Sequence, residues 1–187
     1  PWAHLHDEGL TLDTALESPM LWDPIRLVET CPSSDGACAV VLTSESVAER
    51  LNGPTAWVHA TAMRSEPTMF AGRDEVSPRA GELCADDLYR KAGITDPFTE
   101  IDVAEIYVPF SWFEPMWLEN LGLVPRDGGW RYVEDGRTSF DGELPVNPSG
   151  GERISSLPTA DVFDRIKRNG FSKRCMQHDN RATSLAQ

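Results

Sequence analysis

Long apolar runs and clustered cysteines are absent from this sequence. Its longest uninterrupted apolar segment, Ala37–Leu42, is far shorter than the roughly 20 residues that cross a bilayer, so we expect no membrane insertion. The 4 cysteines form no C-x-x-C pair, which argues against a structural zinc site and against a disulfide scaffold. We therefore expect no metal, reduced thiols and a cytoplasmic protein.

Positive charge is also scarce. The chain has 17 lysines and arginines against 30 aspartates and glutamates, for a formal net charge of −13. Such an acidic surface repels phosphate groups, so we expect no nucleic-acid partner. The charge is unevenly distributed: residues 1–151 hold 10 basic and 26 acidic side chains, which leaves −16, whereas residues 152–187 hold 7 and 4, which leaves +3.

The sequence begins at Pro1 without a methionine, and no basic-then-apolar leader follows. We therefore expect a fragment or a processed product that has no secretory signal.

What the sequence does contain is an ordinary globular composition, with 40% hydrophobic residues, which is enough for one buried core. Its apolar patterns predict strands at 37–42, 56–62 and 101–108, and helices at 45–51, 80–92 and 112–121. This alternation predicts an α/β layered fold with some parallel strand pairing. Further along, we expect a helix at 159–169 and then a mobile tail at 171–187, where no periodicity is visible.

Three motifs follow one another along the chain: CPSSDGACAVVLTSE at 31–45, IDVAEIYVPF at 101–110 and PVNPSGG at 145–151. The predicted helix ending at Ala92-Gly93 lies between the first two. In this order they resemble the C-terminal half of the thiolase superfamily, and most of all its sterol carrier protein X and bacterial lipid-transfer members. The resemblance covers roughly residues 15–151.

The resemblance implies an α/β fold with α-β-α layers, of which this chain holds an incomplete C-terminal region. Residues 1–53 would form the end of the N-terminal thiolase-like domain, 54–151 part of the C-terminal domain and 152–187 a divergent basic tail. The resemblance further implies an acyl-CoA thioester as substrate, no separate cofactor, and a homodimer in the full-length form.

The catalytic motifs of the family are altered in this chain. Tyr107 stands where thiolases carry the Asn or His of an N-E-A-F or H-D-A-F motif, and Phe110 matches the phenylalanine of that motif. The G-H-P histidine falls at Leu157, and no C-x-G is present. The region that would carry the nucleophilic cysteine would lie before Pro1.

The run YVPFSWFEPMW at 107–117 is similar to the steroid side-chain-cleaving aldolases of the superfamily. Those enzymes cleave a β-hydroxyacyl-CoA by a retro-aldol reaction into a steroid ketone and propionyl-CoA, use tyrosines as acid and base, and work with a small OB-fold partner. The resemblance therefore implies that Tyr107 is the catalytic acid–base. Its phenol, with an ordinary pKa of about 10, needs neighbouring donors or cations to act as a base.

Asn147, Gly150 and Gly151 are predicted substrate-binding residues, because glycine-rich loops allow a backbone to approach a ligand closely. Phe110 is a fourth, because it matches the phenylalanine of the family motif. Structural interpretations stay open for all of these residues: Tyr107 could pack at the edge of the core, and the loop could be a plain turn. We expect structural roles for Cys31 and Cys38, for His59, and for Trp112, Met116 and Trp117. For Glu105 and Glu114 we expect solvated or hydrogen-bonded roles.

Two alternative functions also stay open. The first is an acyl-CoA acyltransferase, against which the missing histidine and C-x-G count. The second is a catalytically inactive, truncated binding domain, suggested by the change of charge after residue 151, where the family pattern ends. The isolated chain is expected to be inactive, and the truncation predicts exposed apolar surface and association.

Overall fold

The computed structural model of the protein describes residues 10–149, apart from 32, 34–36, 38, 52–54, 69–70 and 75, together with 175–178 and 183–186. Its helices are α1 (Leu12–Glu17), α2 (Glu45–Ala48), α3 (Arg79–Ala92), α4 (Pro97–Glu100), α5 (Phe113–Asn120) and α6 (Gly129–Glu134). Its strands are β1 (Met20–Trp22), β2 (Ile25–Arg26), β3 (Val58–Ala62), β4 (Val103–Ile106), β5 (Cys175–His178) and β6 (Thr183–Ala186). The predicted helix 159–169 lies outside the described residues.

The main sheet has the strand order β3-β6-β5-β4. Strands β4 and β5 are parallel, with Val103 opposite Cys175, whereas β6 is antiparallel to both β5 and β3. The predicted α/β fold with some parallel pairing is therefore confirmed. The expectation of a structureless tail is wrong for the segments that form β5 and β6, because four-residue strands are too short to show a periodicity and are stabilised by pairing with distant strands.

The core forms where α3 packs on the sheet and on α5. The prediction of this helix is confirmed, and it ends where Gly93 adopts the left-handed conformation, with φ +69°. Leu88 of α3 and Leu118 of α5 are completely buried. The two helices approach closely at Gly81, where an added Cβ would lie 2.0 Å from Oδ1 of Asn120, so any larger residue would displace the Asn120 side chain.

The apolar run at 37–42 does not form the buried strand that the sequence predicts. Val40, Val41 and Leu42 are 70–85% exposed, and no strand of the described part of the chain pairs with them. An apolar run indicates that a segment tends to be buried, but a strand also needs a neighbouring strand, which the sequence pattern does not identify. The helix predicted next is present as the shorter α2, which follows Ser44.

Within the described residues, every helix is too short or too polar to cross a membrane.

Candidate functional site

The predicted catalytic residue Tyr107 directly follows β4. Val103, Ala104 and Ile106 of this strand are at most 3% exposed, so the strand is anchored in the core, while Tyr107 is half-buried. In open α/β sheets, ligands bind beyond the carboxyl ends of the parallel strands. The position of Tyr107 at the end of β4 is thus one where a side chain can meet a substrate.

The predicted loop at 147–151 reaches the same end of β4. The N–H of Ala104 donates to the carbonyl of Pro145 at 3.0 Å, and the N–H of Asn147 donates to the carbonyl of Ala104 at 2.8 Å. This pairing is parallel, with Val146 opposite Ala104. The structure therefore brings Tyr107 and Asn147 to the same end of β4. Gly150 and Gly151 lie outside the described residues.

Asn147 binds the backbone of β4 through its side chain. Its Oδ1 accepts a hydrogen bond of 2.7 Å from the N–H of Ile106. The residue has φ +50°, a left-handed conformation that asparagine tolerates better than most residues. The carboxamide oxygen thus has a structural role, and substrate binding by Asn147 stays a prediction.

Glu105 links β4 to the next part of the loop. The N–H of Ser149 donates to its Oε1 at 3.0 Å, and the hydroxyl of Ser149 donates to its Oε2 at 2.6 Å. Burial raises the pKa of Glu105, although the two hydrogen bonds from Ser149 act in the opposite direction. The expected hydrogen-bonded role of Glu105 is confirmed. Its partner could not be found from the sequence, because Ser149 is 44 residues away.

A second carboxylate supports the segment that precedes the loop. Burial raises the pKa of Glu114 on α5, and a hydrogen bond with the Thr138 side chain lowers it. Thr138 is itself buried, and its carbonyl accepts a hydrogen bond of 3.0 Å from the N–H of Val146. Glu114 therefore helps to hold Thr138, whose carbonyl binds Val146. Val146 is the residue that pairs with Ala104 of β4.

The segment after Tyr107 is fixed from its other side by residues 29–31. The N–H of Cys31 donates to the carbonyl of Pro109 at 2.9 Å, and the Ser111 hydroxyl donates to Oε1 of Glu29 at 2.9 Å. The helix predicted at 112–121 is present as α5, which begins after Trp112. Cys31 is half-buried, in agreement with a structural role, and Cys38 lies outside the described residues.

Phe110 belongs to an aromatic cluster next to this segment. Its ring centroid lies 5.7 Å from that of Phe113 and 5.9 Å from that of Trp22. Trp117, 5% exposed, is a core residue, whereas Trp22 and Trp112 are 53% and 40% exposed. The exposed rings of Trp22 and Trp112 give an apolar surface beside the residues that follow Tyr107.

Two other polar regions lie away from these residues. His59 is an exposed residue of β3, at the opposite end of the sheet order from β4. An open groove of about 430 Å³ is lined by charged residues of α3 and its surroundings, including Glu82, Asp86 and Arg126, and by none of the predicted site residues. Neither region adds a group to the site at the end of β4.

The raised pKa of Glu105 predicts how stability depends on pH. The folded chain binds this proton more tightly than the unfolded chain, whose carboxyl titrates near the ordinary value of 4.5. The free energy of unfolding should therefore decrease as the pH rises from 4.5 through the higher pKa of the folded state. Glu105→Gln should make this decrease smaller, as measured by urea denaturation at about pH 5 to 7.

Glu143→Gln is the matched control for that measurement. Arg137 holds the pKa of the exposed Glu143 below its ordinary value, so this carboxyl titrates below the tested range. A decrease in stability that is equally large in wild type and Glu105→Gln would contradict the prediction.

Comparison with known proteins identifies the family. The family described as thiolase C-terminal domain-like matches residues 62–161. An acetyl-CoA acetyltransferase of Methanothermobacter thermautotrophicus is 33% identical over 150 residues, which are 80% of this chain and 39% of that protein. Human sterol carrier protein 2 is 31% identical over 161 residues, which are 81% of this chain and 28% of that protein.

A lyase and an aldolase are also similar to the chain. The 17-hydroxy-3-oxo-4-pregnene-20-carboxyl-CoA lyase of Mycobacterium tuberculosis is 28% identical over 158 residues, 81% of this chain and 40% of that protein. The solved structure of an Ltp2-ChsH2(DUF35) aldolase superposes with a TM-score of 0.79 at 20% identity, covering 98% of this chain and 53% of that one. The chain thus spans 28 to 40% of the length of these three relatives, and it belongs to the thiolase C-terminal domain-like family.

Proposed function

We propose that this chain is part of a lyase that cleaves the side-chain CoA thioester of a steroid by a retro-aldol reaction. The observation that carries the proposal is Tyr107, which occupies the family's Asn or His position at the carboxyl end of β4, next to the loop that begins at Asn147. The similarity to a steroid-CoA lyase and to an aldolase supports this choice among the activities found in the superfamily.

In the proposed reaction, Tyr107 as phenolate takes the proton of the β-hydroxyl group. The bond between the α- and β-carbons then breaks, the β-carbon becomes a ketone, and the electron pair moves into the thioester as an enolate. Protonation of the enolate at the α-carbon gives propionyl-CoA. Backbone N–H groups of a loop can stabilise the enolate oxygen, and the loop that begins at Asn147 is the candidate for this role because Asn147 and Ser149 are held against β4.

The aromatic cluster supports a steroid as the substrate class. The exposed rings of Trp22 and Trp112 lie beside the residues that follow Tyr107. Rigid aromatic side chains suit a flat, apolar ligand, and such surfaces line most sites for small apolar molecules. Phe110 contributes to the same surface through its contacts with Trp22 and Phe113.

Acyl transfer is the second candidate, because an acetyl-CoA acetyltransferase is similar to the chain. Thioester exchange needs a thiolate nucleophile and a preorganised oxyanion site. Tyr107 and Leu157 replace two groups that the resemblance assigns to that site. We also propose that the full-length enzyme is a homodimer. A small OB-fold partner is proposed as well, in line with the two components named in the similar aldolase structure.

The test is a product assay with the full-length enzyme and a steroid β-hydroxyacyl-CoA. Equimolar ketone and propionyl-CoA are expected, and an analogue without the β-hydroxyl group is expected to remain intact. Transfer of an acyl group to added CoA, with no ketone released, would favour the acyltransferase instead. The 187-residue chain alone is expected to give neither product.

A further inference from the structure

Glu105 and Ser149 form a link that the proposed reaction does not itself use. The last backbone hydrogen bond between the loop segment and β4 in the described residues is that of Asn147. Beyond it, Ser149 is tied to β4 through the Glu105 carboxylate, which accepts from both its N–H and its hydroxyl. Both oxygens of Glu105 are therefore used to hold one residue.

The location of this link couples the loop to the strand that carries Tyr107. Glu105 and Tyr107 are two positions apart along β4 and its extension, and side chains at this spacing point to the same side of an extended chain. Ser149 is 8% exposed, so water competes little for these hydrogen bonds.

We propose that Glu105 is a positioning residue that holds Ser149 at the substrate end of β4. The consequence for substrate rests on the proposed function, since it assumes that this loop contacts the CoA thioester. Loss of the link should then weaken thioester binding and raise KM more than it lowers kcat. A residue that only stabilises the fold would lower the amount of active enzyme and leave KM unchanged.

Hydrogen–deuterium exchange in the 187-residue chain measures the link without any substrate. In Glu105→Ala the Ser149 amide should exchange about tenfold faster or more, because it loses the hydrogen bond that it donates to Oε1 of Glu105. Unchanged exchange at Ser149 would overturn the proposal. Glu119→Ala is the matched control: Glu119 accepts from the N–H groups of Asp127 and Gly129, so exchange should increase there and not at Ser149.

Binding of propionyl-CoA to the full-length enzyme, measured by calorimetry, tests the consequence for substrate. Glu105→Gln and Ser149→Ala should each raise its Kd about tenfold. The double variant should raise the Kd no further than either single substitution, because both remove the same link. A Kd that stays at the wild-type value while Ser149 exchange accelerates would overturn the role in substrate binding. If Kd depends on Glu105 but no ketone forms in the product assay, the positioning role stands and the proposed lyase activity fails.

Discussion

Replacing Tyr107 with phenylalanine is expected to lower kcat for carbon–carbon cleavage by about 10²- to 10⁴-fold, the usual contribution of a general acid–base. The substitution removes one hydroxyl and keeps the aromatic ring, so the end of β4 should keep its packing. The Kd for the steroid CoA thioester should therefore stay close to the wild-type value. Single-turnover kinetics and calorimetry on the full-length enzyme separate these two quantities.

Tyr89→Phe is the matched control for that substitution. The chain has 3 tyrosines, and the other two have evident structural roles. The hydroxyl of Tyr89 donates to the carbonyl of Leu121 at 2.5 Å in the core, and that of Tyr132 faces Glu143 at 3.5 Å. Tyr89→Phe should lower the free energy of unfolding by about 1 to 3 kcal/mol, because a buried carbonyl loses its partner, and should leave kcat unchanged. Undiminished turnover in Tyr107→Phe would show that Tyr107 is not the acid–base.

The two segments that form the site, the end of β4 and the loop that begins at Asn147, were predictable because each is marked by a local motif. Tyr107 follows an alternating strand pattern, and the turn residues around Asn147 indicate a loop, so both could be found within short windows of sequence. Tyr107 and Asn147 meet at one end of β4 because Val146 pairs in parallel with Ala104. Only the resemblance to a family pointed to this meeting. Pairing between distant segments leaves little trace in either segment alone.

The two hydrogen bonds between Ser149 and Glu105 could not have been predicted from local motifs. A glutamate on a half-buried strand and a serine in a turn are both common in structural roles, and nothing in either motif points to the other. The same limit explains the error at 37–42. The apolar residues there predict burial correctly as a tendency, yet Val41 is 85% exposed in this chain, because the pattern does not specify which surface would cover it.

Deleting residues 171–187 is expected to abolish cooperative folding. The deletion removes β5 and β6, which lie between β3 and β4 in the sheet, so β4 loses its parallel neighbour and β3 loses the strand to which it is paired. Lost pairing on this scale should exceed the whole stability of a typical domain, about 5 to 15 kcal/mol. Urea denaturation followed by near-ultraviolet circular dichroism should show no sigmoidal transition for the truncated chain.

Two smaller changes distinguish the effect of losing the strands from the effect of shortening the chain. Leu185→Pro should also be strongly destabilising, because β6 pairs on both sides, with Ala60 in β3 and Met176 in β5, and proline interrupts the hydrogen bonding of a central strand. Removing only Gln187, which follows the last residue of β6, should leave the transition unchanged. A chain that ends at residue 170 and unfolds in the same cooperative transition as the intact chain would show that β5 and β6 do not contribute to the fold.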